Sequence, residues 1–397
     1  MNICFVYKED YPWDVRVEKI TKSFHDRGDN VELVCRNLGQ RETNDLIEGI
    51  HVHRLPKFNL LPRFIRLLLN APVFFNPFWL YLLFNIVRKT QSDLIIVRDL
   101  PLMMAGIIVG KLTGAKVIFD MAECYPEMYR SSMESVKTSF LMKIVKSPRL
   151  AAFYEKISVN WCDHVFVMIE ESKARLISMG IGENKITIVS NTPIIGSSTF
   201  EPKVHYGDAL SIIYVGFLTR IRGLDLLIKA VRQFVDGAED SAQIQVNIIG
   251  EGSDKNHLAR LVRDLNLENN VKIHGWLSHE SAREYMSSAN VGCLTYRFCG
   301  HWNHTIPNKI FDYMRAGLPV LTTNVKPISR IIESEECGLS SSDSDIDEIA
   351  RNLVLLKDAG LRQRFGNNGQ AAVMRQYNWS VDLERMFRAA DLLARHQ

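Results

Sequence analysis

Short apolar runs of strand length, separated by stretches with helical periodicity, recur along the whole chain. NICFVY at 2–7 is a continuous apolar run, and residues 15–27 bring Val17, Ile20 and Phe24 onto one helical face. Gly28 ends that helix and 31–35 (VELVC) is the next strand, so the chain opens strand, helix, strand. Further strands are expected at 93–97, 116–119, 163–168 and 186–189, with helices near 102–112 and 170–179. A second series of strands follows at 211–215, 246–252, 271–277, 291–296 and 320–323. Apolar strands alternating with helices predict an α/β protein built on doubly wound parallel sheets. Residues 194–209, with Gly, Ser, Pro and Lys, break the rhythm and read as a linker. At 397 residues the chain exceeds one ordinary core. The expected division is 1–200 and 210–376, followed by a closing helix from about residue 377.

One segment departs from this rhythm. Residues 59–89, NLLPRFIRLLLNAPVFFNPFWLYLLFNIVRK, are strongly apolar, with Arg63 and Arg66 at one end and Arg88 and Lys89 at the other. A spanning helix needs roughly 20 consecutive apolar residues. Asn70, Pro72, Asn76 and Pro77 interrupt this run, so the pattern predicts an interfacial helix pair, with Phe78, Trp79 and Leu82 touching the membrane surface. A packing helix of the first domain is the alternative. Residues 136–149 again mix apolar and basic positions. Between 50 and 160 there are 15 Lys and Arg against 7 Asp and Glu, a local excess of 8, although the net charge of the chain is only +3. That distribution suits an anionic membrane surface.

Composition adds little: 46% hydrophobic and 23% charged residues are ordinary for a folded globular chain. Seven cysteines stand singly, without a paired spacing, which suits a reducing compartment and disfavours a thiolate metal site. The first residues run straight into a strand rather than a signal peptide, so a cytoplasmic protein held peripherally at the inner face of the membrane is expected.

The chemistry concentrates at 304–323, HTIPNKIFDYMRAGLPVLTT. Pro307 suits the first position of a helix, which leaves N–H donors on Asn308 and Lys309. Those donors, the helix dipole and the Lys309 ammonium would make a place for a phosphate, with Asp312 one turn on. Ile310, Phe311, Tyr313 and Met314 form the apolar side, and Ala316-Gly317-Leu318-Pro319 stops the helix before a buried strand. An ordinary capped helix feeding a parallel strand has the same pattern.

IPNKIFDYMRAGLPVL resembles the signature of retaining GT-B glycosyltransferases of family 4, the bacterial group 1 glycosyltransferases. The resemblance implies two facing Rossmann-like domains with a cleft between them, the closing helix returning to the first domain. It implies that Asp312 grips the ribose of a nucleoside diphosphate sugar. The family's first acid falls on His304, which the resemblance keeps among the donor-binding residues. Residues 216–231, GFLTRIRGLDLLIKAV, resemble the stretch whose two cations neutralise the donor diphosphate: Gly216, Leu218 and Gly223 match, Arg222 takes the lysine position and Phe217 the arginine position. Arg220 is the candidate for the missing charge, its fork suiting two phosphate oxygens. Gly250 and Gly252 close a strand, and Leu277 lies in the loop that the family turns to the nucleobase.

On the first domain, the stretch after strand one resembles the family's acceptor wall, with Asp14 and Arg16 as candidates. FDMAECYPEM matches the family at Asp120, Glu123, Pro126 and Glu127, with Ala122 in place of its histidine. The resemblance thus implies Asp120 and Glu123 on the acceptor side, and Arg222, Lys309 and Glu123 as catalytic residues. It implies a hexosyl- or N-acetylhexosaminyl-type transfer with retention, without metal or cofactor. The partners implied are the nucleotide sugar, a lipid-linked or other glycan acceptor and the anionic membrane surface, with no nucleic acid. Asp343-Ser344-Asp345 has the spacing of a metal clamp but precedes an amphipathic helix and reads as its cap. A sugar-nucleotide epimerase of the same fold, and a catalytically reduced subunit carrying Ala122, Phe217 and His304, are the rival readings.

Overall fold

The computed structural model describes the chain except for Trp13, Phe74, 136–145, 197–203, His205, Tyr206, Asp208, 238–242 and 395–397. Most of the basic segment expected at 136–149, and most of the linker, therefore lies outside the described residues. The chain forms two compact units, Met1–Asn191 with Asp382–Gln397, and Thr192–Val381.

The first unit is built on an eight-stranded sheet in the order β3-β4-β2-β1-β5-β6-β7-β8. Its strands are β1 (Asn2–Tyr7), β2 (Asn30–Cys35), β3 (Asn44–Ile47), β4 (Ile50–Arg54), β5 (Leu94–Arg98), β6 (Lys116–Met121), β7 (His164–Val167) and β8 (Ile186–Ile188). Every pairing is parallel except β3 with β4. That hairpin turns on Glu48 and Gly49, both at positive φ (49° and 83°), the geometry that matches the twist of paired strands. The helices are α1 (Val15–Asp26), α2 (Arg63–Leu69), α3 (Pro77–Thr90), α4 (Met103–Thr113), α5 (Tyr125–Ser135), α6 (Pro148–Trp161) and α7 (Glu170–Ser178).

The apolar segment at 59–89 is a helix pair, α2 and α3, but its faces differ from the expectation. Asn76 caps α3, its side chain accepting from the Phe78 N–H, and Trp79, Leu83, Ile86 and Val87 form a buried stripe. Trp79 is 1% exposed and packs in the core of the unit, with Phe78 and Leu82 half-buried against the same cluster. Trp79 is therefore not available to a membrane. The exposed apolar side chains are instead Leu60, Phe64, Leu67, Leu68 and Phe75 around α2, with Tyr81 on the outer side of α3. Among the described residues no helix is long and apolar enough to cross a membrane.

The second unit carries a six-stranded sheet, order β11-β10-β9-β12-β13-β14, with every pairing parallel. The strands are β9 (Leu210–Val215), β10 (Ile244–Ile249), β11 (Val271–Gly275), β12 (Val291–Leu294), β13 (Val320–Thr323) and β14 (Gly338–Ser341). Its helices are α8 (Leu224–Asp236), α9 (Lys255–Asp264), α10 (His279–Ser288), α11 (Lys309–Arg315), α12 (Lys326–Ser334), α13 (Ile346–Leu355) and α14 (Ala359–Arg375). The Asp345 side chain caps α13 by accepting from the Glu348 N–H, and Asp343 accepts from the Phe298 N–H. Among the described residues no group of His, Cys, Asp and Glu is arranged to hold a metal.

The closing helix α15 (Trp379–Ala394) begins two residues later than expected. From Asp382 onward it packs in the first unit: Phe387 lies 5.2 Å from Phe24, Asp391 pairs with Arg27 at 2.9 Å, and Asp382 accepts from the Ser190 N–H at 3.0 Å.

Candidate active site

In each sheet the strand order reverses beside the first strand: β1 lies between β2 and β5, and β9 between β10 and β12. Doubly wound sheets bind their ligands outside the carboxyl ends of the strands at such a point. The candidate residues gather at these two ends, one in each unit.

In the second unit, the loop after β9 lies on the loop after β10. Gly250 has φ of +148°, and a Cβ there would overlap the Gly216 carbonyl; a Cβ on Gly252 would overlap the carbonyl of Leu218. The Leu218 N–H donates to Glu251 at 2.9 Å and the Asp254 N–H to Leu218 at 3.0 Å. These glycines thus serve first the approach of one loop to the other. Leu277 is half-buried, beside the exposed Trp276. Phe217, at the family's arginine position, is 61% exposed.

Arg220 and Arg222 sit on a single 3-10 turn, Arg220–Arg222. Arg220 is exposed, with a nitrogen 3.3 Å from His257 Nε2. Arg222 is seated differently. Its guanidinium carbon lies 4.7 Å from the centre of the Tyr296 ring and 4.5 Å from that of Trp302, and one nitrogen donates to the Tyr296 hydroxyl. Neither aromatic residue was expected at the site. Tyr296 follows β12 and Trp302 lies in the loop before α11, 74 and 80 residues from Arg222 by numbering, so no local spacing links them to it. His301 lies against Trp302 with the ring centres 4.8 Å apart and the planes tilted by 57°, and burial together with nearby Arg222 and His304 pushes its imidazole down to about 4. It is therefore neutral at pH 7 and adds no charge beside Arg222. His304 is half-buried and its N–H donates to the His301 carbonyl.

The central helix starts later than the sequence suggests. Pro307 precedes it, exposed Asn308 stands at the cap position without a side-chain cap bond, and Lys309 is the first helical residue of α11. Ile310, Phe311, Tyr313 and Met314 are buried as expected. The Tyr313 hydroxyl accepts from the Val215 N–H at 3.0 Å, which ties the helix to the end of β9. Lys309 Nζ and Asp312 Oδ2 are 2.7 Å apart, each side chain about a third exposed.

In the first unit, the expected acceptor residues form an ion network. Asp14 caps α1, accepting from the Arg16 and Val17 N–H groups at 2.9 and 3.0 Å. Its other oxygen faces Arg98 at 3.2 Å and the Tyr7 hydroxyl at 3.4 Å. Arg16, 2% exposed, grips Asp120, fully buried, through Nε and Nη2, while its Nη1 donates to the Ser190 carbonyl at 3.2 Å. Arg98 reaches Asp120 at 3.4 Å. Burial alone would raise the Asp120 carboxyl, but the Arg16 and Arg98 guanidiniums outweigh it and hold the group below its ordinary range. Arg16 and Asp120, expected on the acceptor side, thus face each other inside the unit as a buried pair. Glu123 is half-buried after β6, and Ala122 is 6% exposed.

Sequence reasoning passed over a second ion group at the same strand ends. Asp99 follows β5 at φ of +69°, unusual for a residue other than glycine, and pairs with Lys8 at 3.1 Å. Lys8 also donates to the Tyr125 hydroxyl and lies 5.0 Å from that ring's centre. Asp99 is 5% exposed and one of its carboxylate oxygens has no hydrogen-bond partner among the described residues.

Residues 198–372 match the family model of the group 1 glycosyl transferases, and residues 14–192 that of the glycosyl transferase 4-like domain. An uncharacterized glycosyltransferase of Methanocaldococcus jannaschii is 25% identical over 66% of this chain and 62% of its own length. The amylovoran biosynthesis glycosyltransferase AmsK of Erwinia amylovora is 26% identical over 46% of this chain and 44% of its own. The chain thus matches less than two thirds of the length of either relative. HepE of Anabaena, solved in complex with UDP, superposes with a TM-score of 0.69 at 15% identity, covering 99% of this chain and 100% of that one. With one family model on each unit and this fold over nearly its whole length, the chain belongs to the group 1 glycosyltransferases of GT-B architecture.

Proposed function

We propose that this protein transfers a sugar, hexosyl or N-acetylhexosaminyl in type, from a nucleoside diphosphate sugar to a glycan acceptor in the synthesis of a polysaccharide or lipopolysaccharide. The observation that carries this reading is the arrangement in the second unit. Arg222, and the pair of Lys309 and Asp312 on a helix tied to β9, stand at the carboxyl end of a parallel sheet where its order reverses. Cations suit the diphosphate, and the carboxylate suits the ribose hydroxyls. The UDP in the HepE complex agrees with a donor of this kind, and the name of a lipopolysaccharide 1,6-galactosyltransferase of Escherichia coli, 21% identical over 53% of this chain and 57% of its own length, agrees with such a product.

In this reading the bond from the anomeric carbon to the diphosphate oxygen breaks, its electrons staying on the diphosphate. Arg220, Arg222 and Lys309 stabilise the charge that develops there. The acceptor hydroxyl oxygen bonds the anomeric carbon on the same face, so the configuration is retained, and its proton passes to the departing phosphate oxygen. No side-chain base and no metal is assigned a step. Glu123, half-buried after β6, remains the acceptor-side carboxylate of the reading, since Arg16 and Asp120 are engaged with each other.

The acceptor in this reading is lipid-linked, and the protein works at the cytoplasmic face of the membrane. What supports this part is the exposed apolar surface around α2, Phe64, Leu67 and Leu68 with Arg63 among them. Purified protein incubated with a panel of sugar nucleotides, with and without membrane lipid extract, tests the whole reading. Lipid-dependent sugar transfer with a retained anomer supports it. Isomerised nucleotide sugar without any acceptor assigns an epimerase, and no turnover with any donor assigns a non-catalytic subunit.

A further inference from the structure

The seat of Arg222 is fixed from below before any ligand is considered. Gly223 ends the turn at φ of +63°, and a Cβ there would overlap the Thr295 carbonyl. The Thr295 hydroxyl donates to the Gly223 carbonyl at 3.2 Å, and the Arg297 N–H to the Ile221 carbonyl at 3.0 Å. Arg297 in turn pairs with buried Asp225 at 2.6 Å at the start of α8. The segment after β12 therefore holds the turn on both sides of Arg222, at Ile221 and at Gly223.

The same segment provides the surface on which the guanidinium lies. The Tyr296 and Trp302 rings are 4.6 Å apart, and the Arg222 carbon is 4.7 and 4.5 Å from them, so the three groups pack mutually. Tyr296 is 1% and Trp302 4% exposed, so the two rings are fixed parts of the core, whereas Arg222 is half-buried. The Tyr296 hydroxyl accepts from one terminal nitrogen. A lysine would meet the same rings as a point charge on a flexible stem, but only a planar guanidinium has an orientation for them to fix.

We propose that Tyr296 and Trp302 are positioning residues for Arg222: they hold its guanidinium in one orientation before the donor arrives, so that its remaining N–H groups are aligned on the departing diphosphate. This rests on the functional reading above and extends it to two residues outside the signature. Preorganised donors need no rearrangement as charge develops, so losing the orientation lowers turnover more than affinity.

The test is a double-mutant cycle read as kcat and as nucleoside diphosphate affinity, with UDP and GDP as calorimetric probes. Trp302→Leu is expected to lower kcat by about 10-fold or more while changing affinity by less than about 3-fold, and Trp302→Phe to recover most of the loss. In an Arg222→Ala background, Trp302→Leu is expected to change kcat by less than about 2-fold, because nothing is left to position. Arg222→Lys is expected to stay well below wild type. Equal losses from Trp302→Leu in both backgrounds would overturn the proposal, as would a fully active Trp302→Leu enzyme. If Trp302→Leu does not fold, Tyr296→Phe, which removes only the hydroxyl, carries the same cycle. A wild-type protein that binds neither probe and transfers no sugar overturns the functional reading and this inference together; one that binds and transfers while the effects simply multiply overturns this inference alone.

Discussion

Lys309 Nζ lies 2.7 Å from Asp312 Oδ2, one turn further along α11. A pair at this spacing, each partner about a third exposed, adds only a few tenths of a kcal/mol to stability. Its interest is functional: the ammonium assigned to the diphosphate and the carboxylate assigned to the ribose hold each other in place.

Asp312→Ala is therefore expected to weaken donor binding without unfolding the second unit. A carboxylate accepting from sugar hydroxyls contributes about 1.5–3 kcal/mol per charged hydrogen bond, and solvent at a one-third exposed site reduces this. The expected loss is about tenfold in calorimetric affinity for the nucleoside diphosphate. Unchanged affinity in a folded variant removes Asp312 from the ribose. Lys309→Ala should depress kcat more than affinity if its charge acts on the leaving group.

How far the sequence disclosed this arrangement depended on the distance between partners. Lys309 and Asp312 are three residues apart, and a helical period suffices to pair them. The apolar runs mark most strands of both sheets, but not β3 (NDLI), β4 (IHVHR) or β14 (GLSS), where polar residues fill half or more of the positions and the continuous run that marks a buried strand is absent. The sequence offers Arg16 and Asp120 as separate acceptor-side candidates, since nothing local shows that a strand 104 residues away brings a carboxylate to the guanidinium. In α3 nearly every position is apolar, so the sequence did not say which side faces the core, and Trp79 was placed outward.

Asp120→Ala should cost stability rather than acceptor affinity. It strands the Arg16 guanidinium, 2% exposed, without its carboxylate. Breaking a buried pair by removing one partner costs about 3–5 kcal/mol. The urea midpoint of the first unit is expected to fall accordingly, while the acceptor KM of the folded fraction changes little. A stable variant with a strongly raised acceptor KM would return Asp120 to the acceptor.

The membrane reading makes opposite predictions for the two helices. Phe64, Leu67 and Leu68 are exposed on α2, so their joint replacement by Ser should release the protein from anionic vesicles and leave the melting temperature nearly unchanged. Trp79→Ala should instead destabilise the first unit by about 3–5 kcal/mol, because it empties a core position. Wild-type protein that fails to co-sediment with anionic vesicles at low salt removes the membrane surface from the reading altogether.

Acid should weaken the first unit through His164. This imidazole is buried at the start of β7 with Nε2 2.8 Å from the Thr187 hydroxyl, and burial, aided by Lys185, lowers it from 6.5 to about 4. The unfolded chain therefore binds a proton between about pH 6.5 and 4 that the folded chain refuses. The stability tied to the neutral ring is fully present above pH 6.5 and is lost as pH falls toward 4, by about 1.4 kcal/mol per unit. Urea midpoints measured from pH 7.5 down to 4.5 should fall more steeply for the wild type than for His164→Gln, which keeps a polar partner for Thr187 but does not titrate. The ring carbon resonance of His164 should stay in its neutral position to below pH 5. A ring that titrates near 6.5, or equal slopes in the two proteins, would show that the site is open to water and that acid acts elsewhere.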